Sequence, residues 1–372
     1  MKSLILFAIL LLASEMPAQE IIQSDKYNGI LSELYLIRQP SAKAEAMGRG
    51  QVANTESDFG SFYNPALTSL GEGINVNTSF SSPYFDQAES KFNYFGAAYT
   101  DKKIGSFGFS RFYWTLGEPI IITNEFGEEL GSGDLNSTLY TLNYSREVVK
   151  DFFAGVNLGI AHMSFPAGYL SGRTNSTGSS FTLDLGLLKK INVASSVNKN
   201  LVQSINIGSS IYNLTASKIS IEDIAQKDAL PVIFRLGGSY DLKVKGDFIF
   251  PNSNILGILM HVEYQNVLNS DYFKMFKIGQ ELTLGDIFVF RCGYFSQNLN
   301  DYNYPSYNAS SQSQFTYGAG VKIPLSLILN SKTPLSLTID YVNMKEASFI
   351  VYESTGNNFS TLSLNLKFIP SF

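Results

Sequence analysis

From residue 74 to the end, the chain is a succession of short runs in which apolar and polar side chains alternate one for one. In "STLSLNLKF", Leu362, Leu364, Leu366 and Phe368 fall on one parity, and Thr361, Ser363, Asn365 and Lys367 on the other. Similar runs begin near residues 74, 91, 103, 137, 151, 179, 203, 232, 255, 273, 286, 315, 334 and 360, separated by clusters of Gly, Asn, Ser, Asp and Pro. Each is close to the ~9 to 11 residues that a tilted membrane strand needs. A period of two excludes helices from most of the chain. It leaves two architectures, a soluble sandwich or a membrane barrel.

The polar parity separates them. Tyr140, Leu142 and Tyr144 oppose Thr141, Asn143 and Ser145, while Phe181, Leu183, Leu185 and Leu187 oppose Thr182, Asp184 and Gly186. The water-facing side of a sandwich is rich in Lys and Glu, whereas here it is Asn, Ser, Thr and Gly, the content of a barrel lumen. Only 16% of residues are charged and 13% are aromatic, against about 25% charged in soluble domains. This composition fits a surface in contact with lipid. Short connections at 100, 146 and 283 alternate with long ones at 114 to 136, 164 to 178, 213 to 231, 296 to 314 and 345 to 359, as periplasmic turns and extracellular loops do. Connections at 189 to 202, 242 to 254 and 324 to 333 are longer than that rule prefers. The fold expected is an all-β membrane protein: about 14 antiparallel strands in a transmembrane barrel over residues 74–372, preceded by a small plug.

Residues 1–18, with Lys2, an apolar run from Leu4 to Ala13 and the small Ala18, read as a secretory signal peptide. The expected location is the bacterial outer membrane, with its lipids around the barrel. Residues 19–73 lack the alternation and are assigned as an N-terminal hatch filling a lumen too wide for wall side chains to fill. Within it Asn64, Pro65 and Ala66 form a turn-prone tripeptide, where Asn64 can bond backbone groups and Pro65 fixes φ.

No catalytic or metal centre is indicated. His162 and His261 are the only histidines and neither has a second ligand at metal-binding spacing. No nucleophile motif stands out. A net charge of −5 opposes a nucleic-acid partner, and the lone Cys292 excludes an internal disulfide and sits on the lipid-facing parity of Phe288 and Phe290. No cofactor is expected. His261 and Glu263 share the inward parity, and with Asp184, Arg291 and Asp340 they are expected to be lumen polar groups that pack the wall or hold the hatch. The parity predicts a mostly polar, small-residue lumen.

The run "PSAKAEAMGRGQVANTESDFGSFYNPALTSL" resembles the amino-terminal signature of FadL-like barrels, in particular the PorV/PorQ group, with Arg49 standing where small residues are usual. The resemblance continues in order through "SSFTLDLGLL", "FRLGGSY", "MHVEYQ", "FVFRCGYFSQ" and "TIDYVNM". It implies a fourteen-stranded barrel whose hatch is held by Asn64, Pro65 and Ala66, and an assembly signal at Phe372. It further implies a non-enzymatic accessory of type IX protein secretion or surface attachment, binding secretion-system proteins or secreted cargo through the loops at 114 to 136 and 296 to 314. The alternative is passive, FadL-like transport of a hydrophobic ligand, which requires an apolar pocket above the hatch.

Overall fold

The computed structural model describes residues 39–370, apart from 57–58, 83–89, 116, 118, 124–125, 166–175, 194–199, 222–226, 247–252, 270–273, 299–302, 305–306, 309–311, 330–333 and 346–357. The proposed signal peptide and Phe372 lie outside the described residues. The main sheet has sixteen strands, and the short pair Lys218–Ile221 and Lys227–Ala229 is a hairpin that pairs with Gly178 and Ser179 beside the ring. The remaining fourteen make the barrel: β1 (Gly73–Ser82), β2 (Lys91–Asp101), β3 (Gly105–Thr115), β4 (Asn136–Val149), β5 (Phe152–Phe165), β6 (Ser176–Val193), β7 (Leu201–Tyr212), β8 (Ile233–Gly246), β9 (Ser253–Val267), β10 (Lys274–Leu284), β11 (Phe288–Asn298), β12 (Gln312–Ile323), β13 (Leu335–Lys345) and β14 (Asn358–Phe368).

Each strand pairs antiparallel with its chain neighbour. The ring closes where β1 meets β14, in register from Ile74 opposite Phe368 to Ser82 opposite Ser360. Closure leaves no edge, the condition for strands to cross hydrocarbon. The turns Asp101 to Gly105, Val149 to Phe152 and Leu284 to Phe288 are short, which places them and the β1/β14 ends on the periplasmic side. Two of the three connections that exceed the rule shorten, because β6, β7 and β8 run beyond their alternating cores to Val193, Leu201 and Gly246; the third, between Ile323 and Leu335, keeps its length and holds the short helix Leu325–Ile328.

Alternation sorts the side chains as the sequence indicates. Phe107, Leu142, Ile160, Phe181, Ile207, Val262, Ile278 and Phe290 are exposed on the outer wall, as is Cys292, while their in-between neighbours are buried or half-buried. Among the described residues no helix is long and apolar enough to cross a membrane. An even-stranded closed barrel with an apolar outer band is a protein of the bacterial outer membrane.

Candidate functional site

Residues 39–72 run through the lumen as two short helices and a 3-10 turn, tied to the wall by backbone and side-chain hydrogen bonds. The helix Ala42–Ala46 starts at Ser41, whose hydroxyl accepts from Ala44 N at 3.2 Å. It ends where Gly48 and Arg49 both take positive φ, 68° and 69°. Arg49 tolerates this unusual backbone while its guanidinium donates to Glu45 at 2.9 Å and lies 4.7 Å from the Phe295 ring centroid. The wall leaves room for this turn: a Cβ on Gly293 would stand 2.2 Å from Gly48 N.

Asn64 sits at a second anchor. Its Oδ1 accepts from Ala66 N at 3.0 Å, capping the 3-10 turn Pro65–Leu70, with Pro65 at the first position where a missing N–H costs nothing. Its Nδ2 donates to Val52 O and to Leu187 O of β6, both at 2.9 Å. Gly186 makes space for it, since a Cβ there would stand 2.1 Å from Asn64 Oδ1. Ala66 is fully buried, and the Pro65 carbonyl accepts from Asn143 of β4 at 3.2 Å.

The charged residues singled out in the sequence all face inward, and four of the five make polar contacts there. One carboxylate oxygen of Glu263 accepts from Gln51 N at 2.7 Å and Val52 N at 2.8 Å, and the other accepts from Lys277 at 2.8 Å. Arg291 bridges Glu281 at 2.6 Å and Asp340 at 2.7 Å, and Glu281 in turn holds Lys43 of the inner segment at 3.0 Å. Asp184 accepts from Asn213 N and from Asn157, which also donates to Ser61 O at 2.8 Å. His261 packs between Gly50 and Gly279 rather than pairing with Glu263. Sequence reasoning missed Lys277 and Glu281. Both lie on the inward parity of β10, a pattern conspicuous in a chain with so few charges. A further contact lies toward the periplasm, where Glu56 bonds Lys243 and, at 3.3 Å, Lys322. Lys322 is the main cause holding the Glu56 carboxyl well below the usual carboxylate range, against burial that would raise it.

The expected mostly polar, small-residue lumen needs correction. The periplasmic half is polar, with Asn143, Asn157, Asp184, Glu281, Arg291, Asp340 and Asn365 buried on the inward face. The extracellular half is apolar and aromatic. Phe92, Tyr94, Phe112, Trp114, Leu139 and Met163 from β2 to β5 converge there with Tyr212, Ile233 and Val267, and Phe59 and Tyr63 of the inner segment form the floor. Met275, Phe295, Val342, Met344 and Phe359 continue the belt on the opposite side. Parity assigns a side chain to a face and is blind to its height, so one strand can face inward with Phe92 and Tyr94 and, lower down, with Gly96 and Thr100. Ile219 and Leu230, from the loop between β7 and β8, are fully buried over this cup. That loop is pinned by Asn213 and Asn269, which donate to Leu230 O at 3.1 and 2.8 Å.

Below the cup, a polar cavity of about 300 Å³ separates the inner segment from the wall, lined in part by Glu56, Asn77, Thr100, Arg291, Lys322 and Asn365. Among the described residues no cluster of His, Cys, Asp and Glu could hold a metal ion.

No protein-family model matches the chain, and no curated protein matches it. Solved structures do. A crystal structure of the Pseudomonas putida toluene transporter TodX aligns at TM-score 0.46 and 11% identity, over 89% of this chain and 99% of that one. A Pseudomonas aeruginosa FadL homologue aligns at TM-score 0.45 and 10% identity, over 89% and 98%. The Ralstonia pickettii toluene transporter TbuX aligns at 0.37 and 10%, over 88% and 96%. Overlap of this order speaks to neither ligand nor mechanism, which rest on the residues described above.

Proposed function

We propose that the chain is a passive outer-membrane transporter of hydrophobic small molecules, with residues 39–72 as its hatch and Asn64, Pro65 and Ala66 as one of the hatch anchors. One observation supports this most: the extracellular half of the lumen is lined by converging aromatic and aliphatic side chains that end on the hatch. Water gains nothing from such a wall, whereas an apolar solute gains about 25 cal/mol for each Å² it removes from water. The hatch bonds to the wall around the ring, so flux requires the hatch or the β7–β8 loop to yield. The test is accumulation of a radiolabelled alkylbenzene by cells with and without the gene, beside conductance in planar bilayers. Faster hydrocarbon entry without a standing ion current supports the reading. Equal accumulation in the two strains overturns it.

The secretion-accessory role is the second reading. The extracellular hairpin Ile120–Thr123 with Glu129–Gly133 exposes Ile121 and Phe126, a surface suited to a protein partner. Co-purification of a much larger barrel or of secreted cargo from solubilised outer membranes would favour it.

A further inference from the structure

Arg111 of β3 is a cation set in the apolar band of the outer wall. It shares the outward parity of Phe107 and Phe109, and it lies directly opposite Phe95 of β2 and Tyr140 of β4, both exposed. That row continues through Ile160 of β5 and Phe181 of β6, also exposed. Two residues nearer the extracellular end, the next outward row is polar: Asn93, Tyr113, Thr138, His162 and Ser179. Arg111 therefore stands at the top of the hydrocarbon band, one step below the level where headgroups begin. Among the described residues its side chain has neither an ion pair nor a hydrogen bond. Its guanidinium carbon lies 4.5 Å from the centroid of the Tyr113 ring, and its Nε is buried without a partner. A cation on the lipid face of a barrel is costly when it meets hydrocarbon alone.

We propose that Arg111 binds the phosphate of a lipid in the extracellular leaflet, whose acyl chain lies along the apolar wall beneath. Charge complementarity carries the assignment. The guanidinium has no carboxylate partner among the described residues and faces the bilayer, and the anion that a bilayer presents at headgroup level is phosphate. The geometry suits that anion. Tyr113 steadies the guanidinium through the cation–π contact, which leaves the forked outer N–H groups to meet two phosphate oxygens. Asn93, opposite Tyr113, and Tyr140, opposite Arg111 itself, bring an amide and a hydroxyl to the same stretch of wall, and neither side chain is hydrogen-bonded among the described residues. Toward the periplasm the Phe109 and Tyr140 rings stack with centroids 6.4 Å apart and, with the exposed Leu142, give an acyl chain a continuous apolar surface. The proposal concerns the outer face and is independent of what the lumen carries.

Lipid A with its phosphates and the same lipid with the phosphates removed differ only in the group that Arg111 would hold, so the pair isolates the effect. The full barrel is prepared in a maltoside detergent, which brings no phosphate of its own, and bound lipid is counted by native mass spectrometry over a titration with each probe. The proteins are wild type, Arg111→Gln, Arg111→Lys and Lys274→Gln. Lys274 is an exposed cation on the outward parity at the extracellular end of β10, so its loss controls for removal of charge in general. Heat-modifiable migration on gels verifies that every variant is folded. The expected result is that wild type prefers the phosphorylated lipid roughly 10-fold, Arg111→Gln loses that preference, Arg111→Lys keeps part of it and Lys274→Gln keeps it whole. Phosphate-free lipid should bind all four alike. The proposal is overturned if wild type shows no preference for the phosphorylated lipid, or if Arg111→Gln retains it. An equal loss in Lys274→Gln would overturn it too, because the lipid would then be reading the overall charge of the outer face rather than one site.

Discussion

Replacing Glu263 with alanine tests whether the hatch is held by a few specific contacts or by general packing. The carboxylate accepts two hatch amides, at 2.7 and 2.8 Å, and pairs with Lys277, which is fully buried. Each charge-assisted bond contributes roughly 1.5–3 kcal/mol. Removing one partner of a buried pair costs about 3–5 kcal/mol in all, because the other charge is left stranded. Gln265 also accepts from Lys277 at 2.7 Å and softens the loss. About 4 kcal/mol is therefore a reasonable sum, equivalent to a ~1000-fold rise in the fraction of molecules with that stretch of hatch released. None of the barrel ladder depends on Glu263's side chain, so the wall should survive. The assay is single-channel recording, with labelling of an introduced Ala53→Cys by an impermeant maleimide in a Cys292→Ser background. Glu263→Ala should show open-pore events and rapid labelling, and adding Lys277→Met should restore part of the closed behaviour. If Glu263→Ala is as silent and protected as its parent, the clamp argument is wrong.

Three further outcomes follow from the geometry. Gly293→Val should prevent the Gly48 turn from seating, because even a Cβ would stand 2.2 Å from Gly48 N; protease digestion should then cut the hatch while the barrel remains heat-modifiable. Glu56 has a folded pKa depressed mainly by Lys322, so its contribution to hatch retention is complete above the unfolded carboxylate value of about 4.3 and is lost only as pH falls through the lower folded value. Conductance steps on acidification should accordingly appear well below that value in the parent, whereas Glu56→Gln, which lacks the charge at every pH, should show them already at neutral pH and lose the acid dependence; steps already present in the parent near pH ~6 would refute the assignment. Cys292 is exposed on the outer wall, and should react with a lipid-soluble maleimide in membranes but not with a charged one.

Much of the architecture is legible because strands write their two faces directly into the sequence. The runs that begin near 137 and 179 alternate so cleanly that lipid and lumen faces can be assigned without coordinates, and the pairing of the last strand with the first follows from closure. Asn64 and Pro65 were visible for a local reason, since a side-chain cap followed by proline is a recognisable turn start. The lumen's change of character was not visible, because parity sums over a strand what height separates: Phe112 and Trp114 share a face with Ser106 and Gly108, several residues nearer the periplasm. Nor could the sequence pair Glu281 with Lys43, which lie 238 positions apart. That contact depends on strand register and on where a separate segment threads the lumen, and neither is a local property.

The chain of charges from Lys43 through Glu281 and Arg291 to Asp340 allows the roles of hatch anchor and wall brace to be separated. Glu281 holds two cations, Lys43 and Arg291, whereas Asp340 holds only Arg291, which retains Glu281 when Asp340 is lost. Glu281→Leu should therefore be the most damaging single change, beyond about 3–5 kcal/mol, because it strands two buried charges at once. Asp340→Asn keeps an acceptor oxygen near Arg291 and should cost roughly 1–2 kcal/mol. Lys43 is the one member on the hatch, so Lys43→Met should release that end of the hatch while leaving the thermal transition of the barrel close to its parent. Replacing all four by apolar residues removes every stranded charge and should recover most of the loss seen in Glu281→Leu, as buried ion networks elsewhere do when exchanged whole. Thermal transitions and hatch labelling of the five proteins decide the matter. Were Glu281→Leu no worse than Asp340→Asn, the two cations would not depend on it, and the network would be a product of packing rather than an anchor.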